Sequence, residues 1–331
     1  MHGRFAWYDL MTPDIAAAKK FYPAVTGWTT EDWDKGPYSM WKAGDESFAG
    51  MNPITPEQRA QGIPAHWLAY VNVDNVESSA NKVRSLGGKV LHGPEDIPEV
   101  GRFAIIQDPQ GATLAVFKGS GPWPGWDGTP SVGKFSWHEL MTTDYRGAFE
   151  FYRQLFGWDK QSEMDMGADG MYLMYGKEGK MYGGMFNRPA RVGAVPPNWT
   201  FYVNVKDVKR AVDATKKAGG TLAMGPMEVP GGDQVAVLTD PQGAMFAVHQ
   251  SVGKAATAPK PRAKARRAKA KSAKAKGAKA AKQKRPARKA ANAGRKKARK
   301  TGAKRARASA KRARRPAPRR SRARSRKRGR R

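Results

Sequence analysis

The apolar positions of this 331-residue chain change period several times, and the whole series of changes occurs twice. Residues 5–11 alternate and predict a strand, after which Ile15, Ala18, Phe21, Tyr22 and Val25 take helical spacing. Thr12-Pro13 reads as the helix start, with Thr as N-cap and Pro in the first turn, and Gly27 as its left-handed terminus. Short strands are predicted around residues 38–41 and 48–51. A Pro-bearing connection leads to a strand at 67–73 and a helix at 76–86 closed by Gly87-Gly88. Strands at 89–91, 102–107 and 113–117 finish the unit. The last two are joined by Asp108-Pro-Gln-Gly111, which has Asp, Pro and Gly where a type I turn favours them.

The second copy repeats this closely. Phe5-Ala-Trp-Tyr-Asp-Leu-Met-Thr-Pro-Asp14 returns as Phe135-Ser-Trp-His-Glu-Leu-Met-Thr-Thr-Asp144, Phe21-Tyr22 as Phe151-Tyr152, and Gly27-Trp28 as Gly157-Trp158. Trp67-Leu-Ala-Tyr-Val-Asn-Val73 matches Trp199-Thr-Phe-Tyr-Val-Asn-Val205, and Asp108-Pro-Gln-Gly-Ala112 matches Asp240-Pro-Gln-Gly-Ala244. A repeat of roughly 115–120 residues sets the domain plan. Residues 1–118 form the first domain, 119–132 a Gly/Pro-rich linker, 133–250 the second domain and 251–331 a tail.

Charge divides the chain at the same place. The formal charge is +33, but the 78 residues from Lys254 onward hold 37 Lys and Arg and no acid, leaving the preceding body at −4. Beyond Gly253 there is no Val, Ile, Leu, Met, Phe, Trp or Tyr, so the tail has nothing with which to offset its ordering entropy and is expected to be disordered. The absence of cysteine excludes disulfides, thiolate catalysis and Cys-ligated metal centres. No apolar run reaches the roughly 18–20 residues of a membrane span, and no signal peptide is expected ahead of the first strand. A cytoplasmic, nucleoid-associated location is expected.

The opening strand, the helix carrying Phe-Tyr and ending in Gly-Trp, the second strand–helix with Gly-Gly and the Asp-Pro-Gln-Gly turn together resemble the vicinal oxygen chelate superfamily of glyoxalase I, bleomycin-resistance proteins and extradiol dioxygenases. The Trp-Tyr-Asp-Leu and Trp-His-Glu-Leu openings are most similar to its two-domain glyoxalase-like or hydroxylase-like members. The resemblance covers nearly all of residues 4–250. It implies an α+β fold of two tandem domains, each of paired βαβββ modules curled into a half-open barrel around a pocket. It does not imply one reaction, because a fold hosts many.

Metal-dependent members place His, Glu or Gln on the first and last strands of a module. The matching positions here hold Trp7, Leu68 and Ala115 in the first copy and Trp137, Thr200 and Ala247 in the second. The glyoxalase I ligand set is absent from both, so no cofactor is expected and a divalent metal is disfavoured. The five His show no metal-ligand spacing. A His-based centre would have to use His138 with Glu139, or His249, and a satisfied structural role is the competing reading.

Asp9 and Glu139 lie two residues beyond Trp7 and Trp137, on the same strand face. Buried beside an indole, such a carboxylate could serve as a general base or hydrogen-bond acceptor. Alternatively it pairs with an Arg or backbone amide and holds the module together. The recurring aromatics Trp7, Tyr38, Trp67 and Tyr70, with Trp137, Tyr172, Trp199 and Tyr202, divide between core and an apolar ligand pocket.

The tail resembles the C-terminal domains of linker histones. Its density of cations, among them Lys264, Arg266, Arg267, Lys296, Lys297, Arg314, Arg315, Arg319 and Arg320, suits non-specific duplex DNA, and without aromatics it has no stacking platform for single strands. Another polyanion, or a merely solvating role, is the competing reading. The expected protein is a glyoxalase-like small-molecule binder, or a lyase or oxygenase-type enzyme, tethered to nucleic acid. The alternatives are a non-catalytic sequestering protein of the bleomycin-resistance kind and a histone-like architectural protein. Dimerisation is a further option, which the second domain in the chain could replace.

Overall fold

The computed structural model describes residues 1–251 apart from 37, 122–125, 127 and 130. They belong to one compact unit, Met1–Ala263; residues 252–331, and with them the expected disorder of the tail, lie outside the described residues.

The first domain runs β1 (Phe5–Thr12), α1 (Ile15–Thr26), β2 (Thr29–Asp32), β3 (Ser39–Ala43), β4 (Glu46–Pro53), α2 (Pro56–Ala60), β5 (His66–Asn72), α3 (Val76–Ser85), β6 (Lys89–Ile97), β7 (Gly101–Gln107) and β8 (Thr113–Gly119). The second runs β9 (Phe135–Thr142), α4 (Tyr145–Phe156), β10 (Asp159–Asp165), β11 (Met171–Lys177), β12 (Lys180–Asn187), β13 (Asn198–Asn204), α5 (Val208–Lys217), β14 (Thr221–Glu228), β15 (Gln234–Thr239) and β16 (Met245–Gln250). Each domain is one eight-stranded sheet, ordered β2-β3-β4-β1-β5-β8-β7-β6 and β10-β11-β12-β9-β13-β16-β15-β14. In each, two βαβββ modules join through their first strands, β1 antiparallel to β5 and β9 antiparallel to β13. Within a module the first and last strands are parallel, as in β1 with β4 and β5 with β8. The sheets do not close, and each forms a half-open barrel.

Two local expectations shift. α1 starts at Ile15 rather than at Thr12-Pro13: Thr12 completes β1, and Asp14 is the N-cap, its carboxylate accepting from Ala17 N at 2.9 Å. The same acid in the second copy, Asp144, caps α4 through Gly147 N. Gly27 and Gly157 end these helices in the left-handed region, at φ 78° and 69°. The Pro-bearing connection holds α2, closed by a Thr55–Gln58 capping box that the apolar pattern did not reveal.

Alternation gives every strand two faces. Phe5, Tyr8 and Leu10 of β1, with a bulge between Phe5 and Trp7, join Trp67, Ala69 and Val71 of β5 in one core shared by both domains. The duplicated motifs supply its cross-links, arranged about a pseudo-twofold axis. Tyr22 OH donates to Asp240 Oδ2 (3.1 Å) and Tyr152 OH to Asp108 Oδ2 (3.0 Å). Trp67 Nε1 donates to the Tyr22 hydroxyl and Trp199 Nε1 to that of Tyr152. Trp28 Nε1 reaches Gly133 O and Trp158 Nε1 reaches Gly3 O, at 2.6 and 2.7 Å. The other oxygen of Asp108 accepts from the amides of Gln110, Gly111 and Ala112, so one carboxylate both folds its turn and ties it to the neighbouring domain.

Asp240→Ala is therefore expected to destabilise the body by about 1–3 kcal/mol, the cost of leaving buried donors unpaired. The lost donors' acceptor served Tyr22 OH and the amides of Gln242 and Ala244. Urea unfolding followed by tryptophan fluorescence checks this. A change within a few tenths of a kcal/mol would show that the clasp is not needed.

Candidate functional site: a carboxylate in each half-barrel

The other face of each sheet carries the two acids singled out in the sequence. Asp9 is 4% exposed and takes four donors: Tyr38 OH (2.6 Å) and Trp7 Nε1 (3.2 Å) on Oδ1, and Tyr70 OH (2.9 Å) and Asn52 Nδ2 (3.1 Å) on Oδ2. The Trp7 indole also donates to the Tyr38 hydroxyl at 2.6 Å. Gly50, paired with Asp9 across β1 and β4, makes this possible, since a Cβ there would fall 1.8 Å from the Tyr38 hydroxyl oxygen.

Glu139 is the counterpart. Tyr172 OH and Tyr202 OH each donate to it at 2.8 Å, and Trp137 Nε1 donates to the Tyr172 hydroxyl rather than to the acid. Gly184 leaves room for Tyr172 as Gly50 does for Tyr38. Asn52 has no polar equivalent, because Phe186 occupies its place and stacks on Tyr172 at 5.7 Å. Burial pushes both carboxyls above their ordinary range, and the hydroxyl donors pull them part of the way back. No Lys or Arg among the described residues pairs with either acid.

Of the eight aromatics, Trp7, Tyr38 and Tyr70 surround Asp9, and Trp137, Tyr172 and Tyr202 surround Glu139. Trp67 and Trp199 do not join them. Each lies an odd number of residues from Tyr70 or Tyr202, so alternation turns it into the shared core, where Trp67 packs on Tyr22, Trp28 and Phe135. His138 likewise turns away from Glu139. It meets Tyr8, its counterpart in the repeat, at the pseudo-axis: Nδ1–H donates to Tyr182 O (2.8 Å), so Nε2 accepts from Tyr8 OH (2.5 Å). Burial holds this imidazole down at about 3. His249 bonds Ser136 Oγ (3.0 Å) and Asp233 Oδ2 (2.8 Å). Asn52, Gly50 and Gly184 escaped the sequence reading. Only the β1–β4 and β9–β12 registers, parallel and therefore non-local, bring them beside the acids.

The metal-ligand positions of the resemblance, Trp7, Leu68 and Ala115, with Trp137, Thr200 and Ala247, lie on this face or beside it in the register. An indole N–H, a leucine and an alanine offer a metal no lone pair, so the first domain's residues do not fit the family's metal. Among the described residues no three His, Cys, Asp or Glu cluster as a metal site, and no helix is long and apolar enough to cross a membrane. Lys264, Arg266, Arg267, Lys296, Lys297, Arg314, Arg315, Arg319 and Arg320 lie outside the described residues.

Comparison with known proteins agrees with this architecture. The Glyoxalase/Bleomycin resistance protein/Dioxygenase superfamily matches residues 4–116 and again 134–248. The putative glyoxylase CFP32 of Mycobacterium tuberculosis is 33% identical over 246 residues, covering 73% of this chain and 92% of the relative. The anthracycline biosynthesis protein DnrV of Streptomyces peucetius is 30% identical over 259 residues, covering 74% and 92%. Among solved structures, the Mn(II)-bound glyoxalase of Novosphingobium aromaticivorans superposes with a TM-score of 0.52 at 16% identity, covering 75% of this chain and 82% of that one. The 2,2',3-trihydroxybiphenyl 1,2-dioxygenase of Sphingomonas wittichii gives 0.54 at 13%, covering 76% and 91%.

Proposed function

Because the chain belongs to the Glyoxalase/Bleomycin resistance protein/Dioxygenase superfamily in both halves, we propose that its body binds a small organic ligand in the half-barrel without a metal, through the carboxylate–tyrosine cluster. One observation carries the reading. Where metal-dependent members converge ligands, each half instead converges an acid, buried in Asp9 and half-buried in Glu139, two tyrosine hydroxyls and an indole. A carboxylate whose charged form is penalised by burial can accept a ligand's hydrogen bond, and as a general base it could take a proton. A lyase- or isomerase-like proton transfer is the chemistry these side chains can themselves supply. The anthracycline relative favours a polycyclic or aromatic ligand.

The polycationic tail is, on this reading, a non-specific tether to nucleic acid, placing the ligand-binding body along a polyanion.

A fragment set of neutral, anionic and cationic aromatic compounds, read by saturation-transfer NMR on the full chain, tests the pocket. Binding of some members is expected to survive EDTA within about two-fold and to fall at least ten-fold, roughly 1.4 kcal/mol, in Glu139→Ala. Binding that appears only after Mn(II) or Fe(II) is added would overturn the metal-free reading. No binding at millimolar concentration would overturn the pocket.

A further inference from the structure

The two half-barrels have diverged in a consistent direction. In the first, the acid is saturated with donors and Tyr70 packs on Phe103 and Phe117 at 6.1 and 6.4 Å, whereas in the second Tyr202 packs with the smaller Val235, Val237 and Ala247, against which Met224, Val229 and Met245 lie. The strand register maps Phe103 onto Val235 and Phe117 onto His249, so the second half-barrel loses two phenyl rings at the same place. It also replaces Ala6 by Ser136 and Gly101 by Asp233, which hydrogen-bond His249 into a polar edge.

Glu139 itself is half-buried, receives two hydrogen bonds where Asp9 receives four, and has no basic partner among the described residues. A carboxylate accepts about four hydrogen bonds. A partly desolvated, unpaired acid is costly, and a cation placed against it recovers much of that cost. The aromatic side chains around it are Trp137, Tyr172, Tyr202 and Phe186, and aromatic π-faces favour cations over neutral groups.

We propose that the second half-barrel is the ligand site and that it selects an organic ammonium ion, a protonated amine on an apolar body, with Glu139 as its counter-charge. The first half-barrel is then its structural counterpart, with Asp9 cross-bracing β1, β4, β5 and Tyr38 just ahead of β3. This assignment rests on the pocket reading above and names its ligand class.

The test uses a matched pair on the full chain, phenethylammonium and its neutral analogue 2-phenylethanol, by isothermal titration calorimetry. The ammonium ion is expected to bind at one site per chain, at least ten-fold tighter than the alcohol. Glu139→Gln should remove that preference while leaving weak alcohol binding, and Val235→Phe, which restores the first domain's bulk, should remove both. Circular dichroism and thermal melts establish that each variant is folded. Equal affinity for the two compounds, or a preference that survives Glu139→Gln, overturns the ammonium assignment but leaves a pocket in place. Saturation at two equivalent sites, or indifference to Val235→Phe, overturns the assignment to the second half-barrel. Binding of neither compound overturns the ammonium site, while the fragment result separately decides whether any pocket exists.

Discussion

Ending the chain at Gly253 is expected to abolish salt-sensitive binding to duplex DNA and to leave a folded body. The full chain brings 37 cations without one acid, whereas residues 1–253 carry a net −4 and are repelled by phosphate. Each phosphate neutralised releases counterions and contributes about −0.9 to the slope of log K against log salt, so engaging on the order of ten phosphates gives a slope near −9. Between 50 and 200 mM salt that is a loss of roughly five decades in affinity, larger than any single-residue effect in the body. Fluorescence anisotropy with two unrelated duplexes of equal length should give similar affinities and slopes for the full chain and no saturation for the truncated one. Unchanged affinity on truncation would remove the tether, and strong preference between the duplexes would remove its non-specific character.

The second large effect concerns acid. His138 sits stacked on Phe5 at 3.7 Å in the core, its two nitrogens committed to Tyr182 O and Tyr8 OH. The folded chain keeps this imidazole neutral down to about pH 3, while the unfolded chain protonates it near pH 6.5. Below pH 6.5 the unfolded state therefore binds more protons, and stability falls as pH falls, by up to about 1.4 kcal/mol per unit until the folded value is reached. The buried acids work the other way. Asp9, Glu139, Asp108 and Asp240 have raised folded values, so the folded state takes up their protons first and gains stability relative to the unfolded chain as pH drops through that range. The contribution of His138 is isolated by comparison with His138→Gln. Urea midpoints of the wild type are expected to fall more steeply than those of the variant between pH 6.5 and 5. Parallel curves would show that the imidazole titrates freely in the fold.

The order of elements, the exposed β2 and the short α2 excepted, was legible in the chain because strand and helix periods are local, and duplication let each copy check the other. What else escaped depends on another strand. Trp67 and Tyr70 look alike as aromatics in one strand, yet their odd separation sends one to the core and the other to Asp9. Tyr8 and His138 differ between the repeats because they meet each other, a relation visible only once the copies are folded together. The motifs that identified the repeat turn out to be its fasteners: Tyr22 with Asp240, Tyr152 with Asp108, Trp28 with Gly133 and Trp158 with Gly3. Asp9 and Glu139 were found from the sequence as a pair. Their inequality was not, because Asn52 and Phe186 reach them from a parallel strand more than forty residues away.

That fastening has an evolutionary corollary. In a symmetric dimer of one-domain subunits every substitution appears twice, so a change that opens one barrel opens both and any destabilisation doubles. Joining the halves in one polypeptide, with Tyr–Asp ties running in both directions, removes that constraint. One barrel can stay closed and brace the fold while its sister trades phenyl rings for valine and histidine.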